Sequence, residues 1–95
     1  MSPLTKLFSP IKIGKMEVKN RIAMAPITTN WAPADGTVPA RLIDYLEARA
    51  AGGAGLIIME PFVVDKSRQY LMSRLGLWDD SLIPNFKTRL DRVHA

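Results

Sequence analysis

The sequence predicts an α/β fold in which parallel strands follow an opening β-hairpin, and three observations carry that reading. Residues 11–18 alternate apolar and polar about Gly14-Lys15. Arg21–Ala25 and Gly55–Glu60 are short strand-like runs, the second apolar without alternation, as when both faces of a parallel sheet are covered. Between them Leu42, Ile43, Leu46 and Ala50 recur at helical spacing. The order is therefore hairpin, β, α, β.

Each element has a local cause. Glycine at the first position of the two-residue loop Gly14-Lys15 predicts a type II′ turn. The strand beginning at Arg21 stops at Ala25 or Pro26, because proline fixes its own φ and has no ladder donor. A loop then runs to the turn dipeptide Asp35-Gly36. Thr37 is the expected cap of the first helix, with Pro39 in its first turn. Gly52-Gly53 ends that helix, since glycine accepts the left-handed conformation beyond a C-cap. Past the second strand a polar loop passes through Ser67-Arg68-Gln69. Ser81 is then placed to cap a helix carrying Leu82, Ile83, Phe86, Leu90 and Val93 on one face.

A chain of 95 residues has the length of one small domain, which buries about 60–65% of its unfolded surface. With 47% hydrophobic and 23% charged residues, close to the averages for soluble globular proteins, the composition suggests neither disorder nor a fibrous class. The longest apolar run, Leu56–Met59, is far short of a bilayer span, so no membrane partner is expected. The segment Met1–Lys6 lacks the apolar core of a secretory signal, which makes a cytoplasmic location the expectation. Thirteen Lys and Arg against nine Asp and Glu give +4, scattered from Lys6 to Arg92 rather than gathered for a nucleic-acid partner. Without cysteine, these residues hold no disulfide, thiolate nucleophile or cysteine metal site. The last helix reaches Ala95 with no glycine cap or proline, two residues after an apolar position that needs a partner. The pattern is that of a chain cut at a βα boundary, residues 1–95 being the N-terminal part of a single domain with more strands to follow.

Chemistry is concentrated in Asn20–Asn30, where an apolar run ends in Pro26 and gives way to hydroxyl and amide side chains. Thr28 there is either a ligand-facing hydroxyl or a loop hydroxyl bonded to its own backbone. Gly52, Gly53 and Gly55 follow a helix and precede a strand, the reverse of a phosphate loop, so capping and close packing explain them. Glu60 at a strand top has the chemistry of an acid, a base or a metal ligand, and equally of a hydrogen-bonded structural carboxylate. Asp79-Asp80 suits a helix N-terminus better than a metal pair. His94 is a lone histidine with no visible partner for base catalysis. Trp31 and Trp78 read as packing residues, Trp31 also as the lining of a substrate entrance.

Leu7–Gly14, Lys19–Pro26 and Gly52–Glu60, with Asp35-Gly36, Arg49-Ala50 and Leu75–Asp80, resemble in order the start of the old yellow enzyme family of flavin oxidoreductases. The resemblance spans essentially the whole chain. It implies the N-terminal part of a TIM (β/α)8 barrel: a bottom-closing hairpin and the first two β/α units, with FMN across the strands' C-terminal ends. It places Ala25, Pro26, Ile27 and Thr28 against the isoalloxazine ring, the Thr28 hydroxyl bonding it near O4 and N5 and raising its potential. The implied reaction takes hydride from NADH or NADPH to FMN and on to the β-carbon of a carbonyl-activated alkene, so the partner is a small-molecule substrate. The family's substrate-gripping pair, tyrosine proton donor and phosphate-binding groups come from later strands, so no catalytic residue is assigned and these residues alone are expected to be inactive. An iron-sulfur cluster, carried by some relatives, would belong to downstream cysteines.

One position departs from the pattern. Relatives commonly place a small residue after the strand-two glutamate, its N–H directed at the flavin carbonyl, whereas this chain has Pro61. Either Thr28 holds the ring with less help or a neighbouring amide such as that of Phe62 substitutes. Rival readings are another FMN barrel, of dihydroorotate dehydrogenase or tRNA dihydrouridine synthase type, and a small α/β interaction module forming a homo-oligomer through its sheet edges.

Overall fold

The hairpin forms where the alternation places it. In a computed structural model that describes residues 4–71 and 73–94, β1 (Ile11–Ile13) pairs antiparallel with β2 (Met16–Val18), Ile13 opposite Met16. Gly14 has φ 61° and Lys15 has no positive φ, the combination a type II′ turn requires. The apolar side chains Ile11, Ile13 and Met16 remain exposed.

The two inner strands are shorter than the sequence runs that contain them. β3 (Ala23–Met24) and β4 (Leu56–Ile57) pair in parallel, Ala23 opposite Leu56 and Met24 opposite Ile57. Backbone bonds extend the ladder at both ends: Gly55 and Leu56 donate to the Ile22 carbonyl, and Ile58 donates to Met24. Pairing ends at Met24, ahead of Pro26, which has no donor to continue it.

α1 (Ala40–Ala51) buries Leu42, Ile43 and Leu46, as the spacing requires. Its N-terminus corrects the expected cap. Pro39 occupies the N-cap position, without a side-chain bond, and its carbonyl accepts from Leu42 and Ile43. Thr37 lies too early to cap and turns back, its N–H and hydroxyl both donating to the Asp35 carboxylate at 3.0 and 2.7 Å. At the other end Gly53 donates to Ala50 and Ala54 donates to Arg49. This is the paired bonding of a Schellman cap, with Gly53 at φ 113°.

After β4 the expected polar loop proves more structured. β5 (Phe62–Val63) pairs in parallel with β6 (Leu75–Gly76). Lys66–Leu71 between them form a 3-10 helix, entered through the Asp65 carboxylate, which accepts from the N–H and hydroxyl of Ser67. Two-residue strands carry no periodicity, so nothing in the sequence marked them. A further 3-10 turn, Asp80–Leu82, leads into α2 (Ile83–His94). Its cap is Asp79 rather than Ser81: the Asp79 carboxylate accepts from the Ser81 N–H at 2.8 Å. The reading of Asp79 as a capping carboxylate holds.

The core sits beneath α1, where Ala32, Val38, Leu42, Ile43, Leu46 and Leu75 are buried together. Phe86 and Val93 bring α2 against it, while Ile83 of the predicted face is half exposed. Phe62 and Phe86 meet edge to face, their centroids 5.0 Å apart. The radius of gyration is 15.4 Å, against about 12–13 Å for a compact chain of this length. Parallel pairing puts the C-terminal ends of β3 and β4 side by side, and the segments that leave them form the site.

Candidate functional site

Ala25, Pro26 and Ile27 leave β3 exposed, Ile27 by 57%, and Thr28 is half-buried. The segment is held from both sides by residues that follow β4, Glu60 from the loop that leaves it and Arg74 from just ahead of β6. On one side the Arg74 guanidinium Nη1 donates to Thr28 Oγ1 at 3.1 Å. Arginine has donors and no acceptor, so Thr28 must accept in this bond, and its own hydrogen is left to be donated elsewhere.

On the other side the Thr29 hydroxyl donates to Glu60 Oε1 at 2.8 Å and accepts from the Trp31 N–H at 3.4 Å. Asn30, at φ 60°, makes the bend that lets Thr29 and Trp31 meet. Glu60 is 4% exposed. Among the described residues its Oε2 has no hydrogen-bond partner. One oxygen is thus structural, and the other is a buried acceptor with capacity left over.

The two loops are stitched further along. Gly76 donates to the Gly36 carbonyl at 2.9 Å, the Val38 N–H donates to Asn85 Oδ1 at 2.8 Å, and the Trp78 ring lies against both Gly36 and Gly76. Trp78 is therefore a packing residue, as read. Trp31 packs on α1, edge to face with Tyr45 at 5.6 Å and beneath the Arg41 guanidinium at 4.1 Å.

Beneath the site, buried Asn20 fixes the approach to β3. Its Nδ2 donates to the Gly53 carbonyl at 2.7 Å, and its Oδ1 accepts from the Ile22 N–H at 3.0 Å. A Cβ on Gly55 would collide with this side chain, which gives that glycine the close-packing role read for it. Hydrogen bonds hold the carboxyls of Asp35 (Thr37 side chain first), Asp65 (Ser67 N–H first) and Asp79 (Ser81 N–H first) below their ordinary value. All three stabilise turns.

A groove of about 570 Å³ opens at the opposite end, between β2, α1, the start of β4 and the exposed His94 of α2. Barrel sites form at the strands' C-terminal ends, so this groove is set aside. Among the described residues no three His, Asp or Glu side chains form a metal cluster, and no helix is long and apolar enough to cross a membrane. Of the groups that shape the strand tops, sequence reasoning singled out Thr28 and Glu60 and missed Thr29 and Arg74. A hydroxyl beside Thr28 was a usable signal for Thr29. Nothing local marks Arg74, which arrives through the β5–β6 excursion.

Residues 6–95 match the NADH:flavin oxidoreductase / NADH oxidase family. The chain is 43% identical over 96 residues to an NADH oxidase of Thermoanaerobacter brockii, with 100% of this chain and 15% of that protein covered. It is 34% identical to an NADPH dehydrogenase of Listeria welshimeri, over 97% of this chain and 28% of that one. Among solved structures, the old yellow enzyme of Trypanosoma cruzi superposes with a TM-score of 0.83 at 35% identity, covering 98% of this chain and 25% of the enzyme. The chain thus spans less than a third of the length of these relatives. It belongs to the NADH:flavin oxidoreductase / NADH oxidase family, and its fold is that of the N-terminal part of the old yellow enzyme (β/α)8 barrel.

Proposed function

We propose that residues 1–95 are the opening part of a single FMN-binding barrel domain of an NAD(P)H-dependent oxidoreductase that reduces carbonyl-activated alkenes. The observation that carries the reading is the edge Ala25–Thr28. It offers an exposed apolar surface to one face of a flat ring and, at its end, a hydroxyl whose hydrogen is not given to Arg74. That pairing suits an aromatic ligand with a polar rim. The exposed Ile11, Ile13, Met16, Ile22 and Ile58 also suit a larger cylinder, since on this chain alone they stay in water.

Bound FMN would supply a centre that accepts hydride from NADH or NADPH and gives it to the alkene. The chain's residues bind and orient. Ala25, Pro26 and Ile27 exclude water from one side of the ring, and Thr28 donates to its rim where reduction places electron density, which favours the reduced state. Pro61 offers no N–H at the top of the second strand, so more of this stabilisation falls to Thr28. The proton that completes alkene reduction comes from outside these residues, as does any iron-sulfur centre.

The test is purification of the protein carrying this chain, followed by flavin absorbance after gel filtration and anaerobic titration with NADH and NADPH. Alkene reduction is then read with 2-cyclohexenone. The expected protein is yellow, bleaches with nicotinamide and consumes the enone. A colourless protein that does not take up FMN overturns the reading. A yellow one that reduces uracil- or orotate-type substrates in place of enones overturns the alkene assignment alone.

A further inference from the structure

We infer that Arg74 is a positioning residue for the strand-top site, biasing the hydrogen-bond polarity of Thr28 so that its hydroxyl hydrogen is presented to the ligand. The inference rests on the reading of Thr28 as a flavin contact and extends it to a residue from a different loop. A threonine hydroxyl carries one hydrogen and two lone pairs and rotates to suit its surroundings. Left alone beside a flavin it can donate to the rim or accept from a ring N–H. The Arg74 Nη1, 3.1 Å from Oγ1, biases that choice: a guanidinium only donates, so one of the two lone pairs is committed and the hydrogen, directed away from Arg74, is left for the ligand.

Charge adds to geometry. A hydroxyl that accepts from a cation is a stronger donor, because each bond in a chain polarises the next. The half-buried guanidinium also lies one hydrogen bond behind the contact, where its positive potential favours electron density on the ligand. The contact is built by tertiary structure. β6 begins one residue after Arg74 and is paired with β5, and Gly76 is bonded to Gly36, so the guanidinium is anchored by the excursion that returns the chain to α2. On the far side the Thr29–Glu60 bond prevents the segment from swinging away.

The experiment uses the FMN-loaded protein carrying this chain and reads the midpoint potential of the bound flavin with FMN affinity, leaving turnover aside. Arg74→Met is expected to weaken the preference for reduced over oxidised FMN about tenfold, a fall of about 30 mV for a two-electron couple. Arg74→Lys, another donor-only cation, is expected to recover most of it. In a Thr28→Val background, Arg74→Met should move the potential by less than half as much. An equal shift in both backgrounds, or none in Arg74→Met, overturns the role of Arg74 while leaving Thr28 as a flavin contact. If Thr28→Val alone changes neither potential nor affinity, the reading of Thr28 fails, and the inference with it.

Discussion

The Asn20 carboxamide donates to the Gly53 carbonyl at 2.7 Å, tying the entrance of β3 to the turn between α1 and β4. The same side chain accepts from the Ile22 N–H, so one buried residue serves an acceptor of the segment before β4 and a donor of the segment before β3. Asn20→Ala leaves those part-buried backbone groups without their side-chain partner. The expected cost is about 1–3 kcal/mol, measured as a lower urea midpoint at an unchanged slope. No change in midpoint would show that water replaces the amide.

Gly55 and Gly53 differ in why they are glycine. A Cβ on Gly55 would lie 2.9 Å from the Asn20 carbonyl oxygen as well as against its side chain, and backbone does not yield. On Gly53 the Cβ would meet open space, and only the φ of 113° opposes it. Gly53→Ala should cost about 1 kcal/mol and Gly55→Ala more, about 1–3 kcal/mol through overpacking. The reverse order in thermal or urea unfolding would contradict the close approach.

Asp79 caps the turn into α2, and its bonds to Ser81 hold its carboxyl below the ordinary value of 3.8. Since the folded pKa lies below the unfolded one, the cap contributes fully above about pH 4 and loses its contribution as pH falls through the folded value. The urea midpoint of Asp79→Ala should therefore fall below that of the unsubstituted protein near neutral pH, and the gap should close as pH falls through the folded value. A constant gap across that range would assign the effect to something other than ionisation.

Glu60 holds the strand-top segment through Thr29 and keeps Oε2 without a partner among the described residues. Glu60→Gln retains an acceptor for Thr29, whereas Glu60→Ala removes it and leaves a void. The alanine variant should lose about 1–3 kcal/mol of stability and bind FMN several-fold more weakly, and glutamine should stay close to the parent in both. Fluorescence titration of FMN separates them. Equal loss in both variants would mean that the carboxylate charge, rather than the Thr29 bond, is what the site requires.

The sequence by itself determined the order hairpin, β3, α1, β4 and α2, because each of these elements is written in local chemistry. The Gly14-Lys15 loop sets the hairpin, the helical recurrence of Leu42, Ile43 and Leu46 sets α1, and Gly52-Gly53 ends it, all at the predicted places. The family was legible in the ordered set of segments, Leu7–Gly14, Lys19–Pro26, Gly52–Glu60 and Leu75–Asp80, since the strand motifs taken singly occur in many barrels. Caps were misplaced, Pro39 for Thr37 and Asp79 for Ser81, because several capping-competent residues crowd each helix entrance and only the backbone path selects one. What tertiary structure alone decided is the wiring of the strand tops. The pairing of β5 with β6 rests on two residues from each strand, too few for a periodic signal, yet it carries Arg74 to Thr28 across 46 positions. Contacts of that separation depend on where two loops converge in space, and no local propensity encodes it.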